Sequence, residues 1–407
     1  MRSIEVKDHK SKSKKGIVIW VVILCTLIVT GYLAFRFIWP HFKPSNVQKT
    51  NDTSENNGSI KLIATGDWIA HDSINAQALQ ADGSYNYMPM VNDFKPVFNK
   101  ADIKFCNDPI LNGGKSLGIT GYPKFNSPTD FVTDMGKLGC NLVNTASNHS
   151  FDFTQANIDN SVAAWQSVPN MLAVAGENQN KDQKNKIHYF TIKGVKFAFL
   201  AYATYSNQDS PPSNDYGVNL YSNEFAQSQI SQAKSEGAKF IIVSMRWGTE
   251  YSTETNPEQI QQAQFLSDQG TNLILGHGSH ELQPLAQIKG KSGNSTLVWY
   301  GLGNFLNAQE PAETLFNGIA NMTISTSTQQ ITDISFLPIY MHYEWTAQQK
   351  DLDQTNSRSN LHLYLLEDAK QSMINSQQLN TTIDKQKERI QSTLNSNGLK
   401  IQLISSK

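Results

Sequence analysis

The feature that most constrains the fold is a series of short apolar runs, each of strand length and each ending in a polar residue. Several of these runs follow a segment of helical pattern that begins at a Ser, Asn or Pro and stops at a glycine, as helix capping favours. Strands that alternate with helices predict an α/β fold, in which the loops after the strand ends carry the site. The runs are IKLIATGD, CNLVNTASNH, VKFAFLAYA, AKFIIVSMRWG, TNLILGHGSH and TLVWYGLGNF.

Three helices can be placed between these runs from their periodic pattern and their terminal glycines. The polar stretch at the C-terminus, rich in Gln, Asn and Lys, predicts an extension with a helix around residues 365–395. No chemistry is predicted for this extension. The three earlier helices are predicted at residues 128–138, 224–236 and 257–269.

The N-terminal residues predict a membrane anchor. Residues 16–35 carry no charge, and a helix of that length spans about 30 Å, one hydrocarbon core. Basic residues dominate before it, which predicts a cytoplasmic N-terminus and a main domain on the outer side of the cell membrane. A cleaved signal peptide is the weaker alternative, because the apolar run is long and no clear small-residue cleavage site follows it. The predicted segments are a basic tail at 1–15, a transmembrane helix at 16–39, a polar linker at 40–58, the extracellular domain at 59–345 and the polar extension at 346–407.

Charge and cysteine content narrow the function classes. The formal net charge is −1, and no basic stripe follows the N-terminal tail, so nucleic acid is not an expected partner. Of the three cysteines, Cys25 lies in the apolar segment. Cys106 and Cys140 can pair across a long loop, but the sequence leaves their pairing open, and their spacing does not indicate a zinc knuckle.

Polar side chains cluster at the ends of successive runs. Carboxylates, imidazoles and amide oxygens suit a divalent cation such as Zn, Mn or Fe, and a cation held there could activate water or neutralise a phosphoryl group. Presentation from separate strand ends would let distant residues converge. The clusters are Asp67 and His71; Asn107 and Asp108; Asn148 and His149; Arg246, Trp247 and Glu250; His277 and His280; and Asn304.

Each cluster also has a structural interpretation. Asp67 after Thr-Gly is equally a turn former or a helix N-cap. Asn148 and His149 could bond to backbone in a tight loop, and taken alone that is the better interpretation. One of His277 and His280 could be a structural hydrogen-bonder beside its Gly-Ser turn. The functional interpretation draws its weight from the recurrence of polar clusters at successive strand ends.

Several stretches resemble the bacterial capsule-synthesis CapA family, which is associated with poly-γ-glutamate capsule synthesis. The stretches are ATGDWIAHDSI, FCNDPI, GYPKFNSP, NTASNHSFD, RWGTEYS, GHGSHELQP and YGLGNF, in the family's order, within residues 60 to about 310. The resemblance implies a four-layer α/β/β/α sandwich similar to calcineurin-like metallophosphoesterases. It also implies a metallophosphatase-like site lined by Asp67, Asp108, Asn148, His149, His277 and His280.

The chain departs from the family pattern at the site itself. The family usually has His where Arg246 stands and a second adjacent His where Gly278 stands; Asp108 replaces a common Glu, and Ser147 an Asn. Arginine stays protonated and cannot be a ligand, but it can clamp a phosphate or carboxylate with two hydrogen bonds. A site with one metal, or a metal-free anion site, is therefore an open alternative to two metals.

Two functions follow from these residues. In the first, a membrane-anchored metallophosphatase-like hydrolase acts on a cell-envelope polymer or its precursor. The residues that would hold a metal or water are Asp67, Asp108, Asn148, His149, His277 and His280. The residues predicted to take part in catalysis are His71, Arg246, Glu250 and His280. The substrate is predicted to contact Arg246, Trp247 and Asn304. In the second, the domain binds an anionic polymer such as polyglutamate without hydrolysing it and assists the membrane components of a capsule or polyglutamate synthase. In both, Asp152 caps or orients the loop of His149.

Overall fold

The computed structural model describes residues 58–208 and 215–406. Within those two ranges, no helix is long and apolar enough to cross a membrane. The predicted tail, the predicted anchor at 16–39 and all but the last residue of the predicted linker lie outside the described residues, so their prediction is untested.

The strands form two sheets, and each of the six predicted apolar runs coincides with or overlaps one of these strands. Because most of them are buried on both faces, they read as continuous apolar segments rather than as alternating ones. The strands are β1 Ser59–Trp68, β2 Ile103–Asn107, β3 Leu142–Asn144, β4 Ala173–Ala175, β5 His188–Ile192, β6 Val195–Ala203, β7 Phe240–Arg246, β8 Leu273–His277, β9 Leu285–Lys289, β10 Ser295–Trp299, β11 Asn304–Leu306, β12 Phe316–Ser325, β13 Ile331–Glu344, β14 Ser359–Leu365 and β15 Gln402–Leu403.

Helices connect these strands. The longest of them begin at Ser, Thr or Asn caps, which satisfy the free N–H groups of the first turn. The helices are α1 Asp72–Ala78, α2 Met88–Val91, α3 Lys95–Asn99, α4 Thr129–Leu138, α5 Gln155–Ser167, α6 Lys181–Asn185, α7 Asn223–Ser235, α8 Pro257–Gln269, α9 Ala312–Leu315, α10 Ala347–Asp351, α11 Gln371–Ser376 and α12 Ile383–Asn395, with 3₁₀ turns at Asn92–Phe94, Lys115–Leu117, Thr355–Ser357 and Leu366–Asp368.

The larger sheet has nine strands in the order β14-β13-β12-β1-β2-β3-β4, with β11 paired to β1 and β15 to β13. Its β1 to β4 run parallel to one another, and β12 to β14 are antiparallel. The second sheet has the order β5-β6-β7-β8-β10-β9, with a parallel centre. The predicted α/β class is confirmed. Parallel centres bring the carboxyl ends of β1, β2 and β3, and of β7 and β8, to the edges where the predicted polar clusters lie.

The two sheets pack on each other through aromatic side chains. The ring centroids of Phe105 on β2 and Phe199 on β6 lie 6.2 Å apart, and those of Trp299 on β10 and Phe336 on β13 lie 5.9 Å apart. A second apolar cluster packs α7 and α8 against β7 and β8.

The predicted helices are close to the observed α4, α7 and α8. Residues 365–395 differ from their prediction, since they form two helices, α11 and α12, rather than one. The extension also supplies β14 and β15 to the larger sheet, because apolar residues such as Leu361 and Leu363 alternate in a strand and are buried.

The pairing that the sequence left open is present. Cys106 at the end of β2 and Cys140 after α4 form a disulfide between residues 34 positions apart. The disulfide ties the helix to the strand that precedes the site.

Candidate functional site

The site begins with two rows of polar side chains at strand ends. In the larger sheet, the register places Asp67 of β1 beside Asn107 of β2, and Asn107 beside Asn144 of β3. In the second sheet, Arg246 of β7 is the register partner of His277 of β8. All five side chains are buried, so the polar rows lie inside the protein.

A chain of hydrogen bonds holds the first row together. Asn107 Nδ2 donates to Asp67 Oδ1 at 2.6 Å, and Asn144 Nδ2 donates to Asn107 Oδ1 at 2.5 Å. The other carboxylate oxygen, Asp67 Oδ2, lies 2.9 Å from His280 Nδ1. Burial alone would raise the pKa of Asp67, but the contact with His280 and the nearby positive charges, including Arg246, leave that pKa below its usual value. Asp67 is therefore a buried carboxylate with its neutralising partners already in place.

His277 joins the two rows as a neutral imidazole. Burial lowers its pKa to about 3. Its Nε2 lies 2.8 Å from the hydroxyl of Ser244 and 3.3 Å from Asn144 Nδ2, which can only donate. Its other ring nitrogen, Nδ1, lies 4.0 Å from Asp67 Oδ1.

The guanidinium of Arg246 occupies the centre of the site. Its Nε donates to Asn148 Oδ1 and its Nη2 to Glu250 Oε1, both at 2.8 Å. Its Nη1 is buried without a hydrogen-bond partner. A β carbon built on Gly278 would lie 1.6 Å from that Nη1, and Gly278 has a φ of +112°. Arg246 therefore fits only because residue 278 has no side chain.

These side chains do not fit a divalent cation in the arrangement described. Among residues 58–208 and 215–406, no three His, Cys, Asp or Glu side chains come together so that they could hold a metal ion. Two of the predicted ligands are engaged, since Asn148 accepts from Arg246 and Asp67 lies against His280. The fixed positive charge of Arg246 would repel a cation at this point. The arrangement of these side chains therefore does not support the metal predicted from the sequence, and that metal stays a prediction.

The loop after β3 brings His149 to the same place. His149 Nδ1 lies 2.7 Å from Asp152 Oδ2, which also accepts from the backbone N–H of Phe125. The ring of Phe125 meets that of His149 edge-on at 4.9 Å. These contacts agree with the orienting role predicted for Asp152.

A cavity of about 490 Å³ opens above these groups. His71, whose pKa burial lowers to about 3, lines it together with Phe125 and the exposed ring of Tyr251. Loops after several strands contribute to its wall, and so does the C-terminal extension. Predicted site residues in the lining are His71, Asn148, His149, Arg246, Glu250 and His280; from the extension come Asp353, Thr355, Asn356 and Arg358.

Asp108 lies apart from the other predicted ligands. Its Oδ2 accepts from Asn112 Nδ2 at 2.7 Å and from Trp165 Nε1 at 2.9 Å, and burial raises its pKa to about 7. Successive side chains of a strand point to opposite faces, so Asn107 reaches Asp67 and its neighbour does not.

Two predicted substrate contacts lie outside the cavity lining. Trp247 is buried, donates its Nε1 to the carbonyl of Tyr300 at 2.7 Å and stacks on that ring, so it packs in the core. Asn304 is also buried, and its Oδ1 lies 3.0 Å from His280 Nδ1. Asn304 therefore positions His280 rather than lining the cavity.

Three residues of the site were not assigned a role from the sequence. Asn107 was placed in a strand-end cluster but given no role, and Asn144 ends an apolar run in the stretch that contains Asn148, so the same signal could have assigned both. Arg358 carries no such signal, since it stands in a polar stretch far from every strand-end cluster.

Taken together, a mixed α/β domain with imidazoles, a carboxylate and a guanidinium gathered at strand ends defines a protein with a ligand-binding or hydrolytic site at the edge of its sheets. The chain belongs to the bacterial capsule synthesis protein PGA_cap family, which matches residues 61–309. The resemblance predicted from the strand-end motifs is thereby confirmed.

Relatives and solved structures add to the comparison. The chain is 25% identical to the PGA biosynthesis protein CapA of Bacillus subtilis (strain 168) over 304 residues, 74% of each chain. It is 28% identical to the capsule biosynthesis protein CapA of Bacillus anthracis over 207 residues, 50% of this chain and 49% of the relative. Among solved structures, the NAD nucleotidase NadN of Haemophilus influenzae is 13% identical with a TM-score of 0.44, over 83% of this chain and 60% of that one. The calcineurin-like phosphoesterase YfkN of Bacillus subtilis is 14% identical with a TM-score of 0.40, over 69% of this chain and 90% of that one.

Proposed function

We propose that this capsule-synthesis protein binds a carboxylate-bearing polymer, of the poly-γ-glutamate type, in the cavity above Arg246 and does not hydrolyse it. The observation that carries the proposal is the guanidinium of Arg246, hydrogen-bonded to Asn148 and Glu250 at the centre of the strand-end groups. A fixed cation there supplies positive charge without a bound metal, and arginine is suited to carboxylate recognition.

The proposal includes the finer architecture and the cellular setting. The domain is a four-layer α/β/β/α sandwich of the metallophosphoesterase type, anchored by residues 16–39 with the site outside the cell membrane. It acts beside the membrane components of a capsule or polyglutamate synthase. The disulfide between Cys106 and Cys140 supports an oxidising compartment, since disulfides persist there and are rare in the cytosol.

Metal content and ligand binding test this function together. The purified full chain is expected to bind a short γ-linked glutamate oligomer, to contain no stoichiometric Mn, Zn or Fe by elemental analysis, and to leave p-nitrophenyl phosphate intact. Arg246→Gln is expected to weaken oligomer binding, because it removes the fixed charge while keeping a polar side chain.

The competing function is a metal-dependent phosphoesterase. Stoichiometric metal, together with phosphoester hydrolysis that Asp67→Ala or His149→Ala abolishes, would replace the proposal with that function. Lys61→Gln is a matched control for loss of one positive charge, because Lys61 is exposed and lies on β1 away from the cavity lining.

A further inference from the structure

The C-terminal extension places a second buried guanidinium at the cavity. Arg358 follows the 3₁₀ turn Thr355–Ser357, lines the cavity, and is 7% exposed. Its guanidinium carbon lies 4.8 Å from the ring centroid of Tyr343 and 4.4 Å from that of Trp345. Nη1 donates to the carbonyl of Ala308. The two aromatic rings and this carbonyl hold the guanidinium against the cavity wall.

The charge of Arg358 is not neutralised within the part of the chain that the structure describes. Its Nε is buried without a hydrogen-bond partner, and it forms no ion pair there. Four carboxylates line the cavity. Glu250 pairs with Arg246, Glu310 lies 3.7 Å from Lys350, and neither Asp72 nor Asp353 is within ion-pair distance of Arg358 in the described structure. A buried cation with no counter-ion is costly unless a partner supplies negative charge.

Arg246 and Arg358 therefore differ in what they can offer a ligand. Arg246 is paired with Glu250 through Nη2 and lies near the buried carboxylate of Asp67, so part of its charge is compensated within the protein, while its Nη1 has no partner. Among the residues that the structure describes, the guanidinium of Arg358 contacts aromatic rings and a carbonyl but no carboxylate. Of the two, Arg358 is the cation that gains more from a bound anion.

We propose that Arg358, which lies outside the family-matched residues 61–309, binds a carboxylate of the ligand that enters the cavity. A γ-linked glutamate chain leaves one α-carboxylate free on each residue, and an arginine can bind such a group with two hydrogen bonds. This inference rests on the proposed function, because it names the group that recognises the anionic ligand.

Binding of a γ-linked glutamate oligomer to the full chain tests the proposal, with the same oligomer amidated at its α-carboxylates as the neutral probe. Arg358→Met keeps an unbranched apolar side chain against the two aromatic rings. It is expected to weaken oligomer binding roughly 10- to 100-fold, the effect of losing a charge-assisted hydrogen bond. It is also expected to reduce the preference for the carboxylate form over the amide form, and Arg358→Lys is expected to reduce that preference less.

Arg389→Met is the matched control, because Arg389 is a partly buried guanidinium that donates to Gln386 and to the carbonyl of Phe316 and does not line the cavity. It is expected to bind the oligomer as the wild type does. Thermal unfolding of each variant separates lost recognition from lost folding. If Arg358→Met misfolds, the ratio of carboxylate to amide binding in Arg358→Lys decides.

The outcomes separate this inference from the proposed function. Normal discrimination by Arg358→Met, with binding lost in Arg246→Gln, overturns the role of Arg358 and leaves the proposed function intact. A wild-type chain that binds neither the oligomer nor free glutamate overturns both. Tighter binding of the oligomer than of free glutamate identifies the polymer as the source of the carboxylate, whereas equal binding identifies a small carboxylate. Either result supports the contact between Arg358 and the ligand carboxylate if Arg358→Met weakens that binding.

Discussion

Substitution of Gly278 by alanine tests whether Arg246 and the glycine are structurally coupled. The added β carbon would lie 1.6 Å from Nη1 of Arg246, far inside van der Waals contact. The guanidinium must then move, and its bond to buried Asn148 at 2.8 Å cannot be kept. We therefore expect a loss of stability well beyond the effect of a glycine substitution alone.

Three contributions set the magnitude. A side chain at positive φ costs about 1 to 2 kcal/mol, and overpacking adds about 1 to 3 kcal/mol. Loss of a hydrogen bond to a charged group adds about 1.5 to 3 kcal/mol. Gly278→Ala is thus expected to lower the unfolding free energy by at least about 3 kcal/mol, a large part of the stability of an ordinary domain.

Urea unfolding measures this loss, and Gly237→Ala is the control. Gly237 also has a positive φ, +87°, but a β carbon there would meet nothing within 4 Å. The control is expected to lose only the backbone contribution, about 1 to 2 kcal/mol. When Arg246 has already been replaced by Ala, Gly278→Ala is expected to lower the free energy of unfolding by no more than Gly237→Ala does. Equal losses at positions 278 and 237, or an undiminished loss in the Arg246→Ala background, would refute the coupling.

Three further predictions concern the metal, the pH dependence and the disulfide. Replacing both Arg246 and Gly278 by His is expected to create an affinity for Mn²⁺ or Zn²⁺ that calorimetric titration can measure. The double variant removes a fixed cation and adds two imidazoles, which are metal ligands. A double variant that binds metal no better than the wild type contradicts this prediction. Burial raises the pKa of Asp108 from 3.8 to about 7, so the folded protein keeps a proton that the unfolded chain loses. The unfolding free energy should therefore fall as pH rises from about 4 to about 7, by up to about 4 kcal/mol. Urea titrations at a series of pH values measure this dependence, and Asp108→Asn should weaken it. A pH dependence that is unchanged in Asp108→Asn would mean that other groups cause it. Replacing Cys106 and Cys140 by Ala removes a cross-link between residues 34 positions apart. The double variant is expected to lower the free energy of unfolding, measured by thermal unfolding, by about 3 to 4 kcal/mol. A decrease below about 1 kcal/mol would contradict a stabilising role for the disulfide.

Local sequence patterns predicted the bounds of an element correctly where the segment carries its own start and stop signals. α8 begins at Pro257 after an Asn cap and ends at Gln269, just before Gly270, which are the bounds that the sequence predicted. The antiparallel strands β12 and β13 were not predicted. They pair with each other as a local hairpin, but the position of β12 beside β1 depends on residues distant in sequence. The same holds for β14, whose apolar residues lie in a stretch that reads as polar overall.

The site was predictable to the level of strand ends but not of side-chain direction. Asp67, His277 and His280 meet, as side chains at the carboxyl ends of neighbouring strands are expected to do. Whether Asn107 or Asp108 faces Asp67 depends on where the alternation of the strand stops, which no local pattern determines. Arg358 reaches the cavity only through the tertiary path of the extension.

The pairing of β1 has a consequence for synthesis of the protein. Ser59–Trp68 pairs antiparallel with Phe316–Ser325, so one edge of this strand waits for a partner that is translated much later, whereas β2 can pair with its other edge early. Contacts of such long sequence separation form slowly, because the loop between them must be closed first. Asp67 ends that strand, and a nascent chain that stops before residue 316 would carry its carboxylate in an unfinished sheet. Ribosome-bound intermediates of this protein should therefore lack the site even when most of its residues have been made.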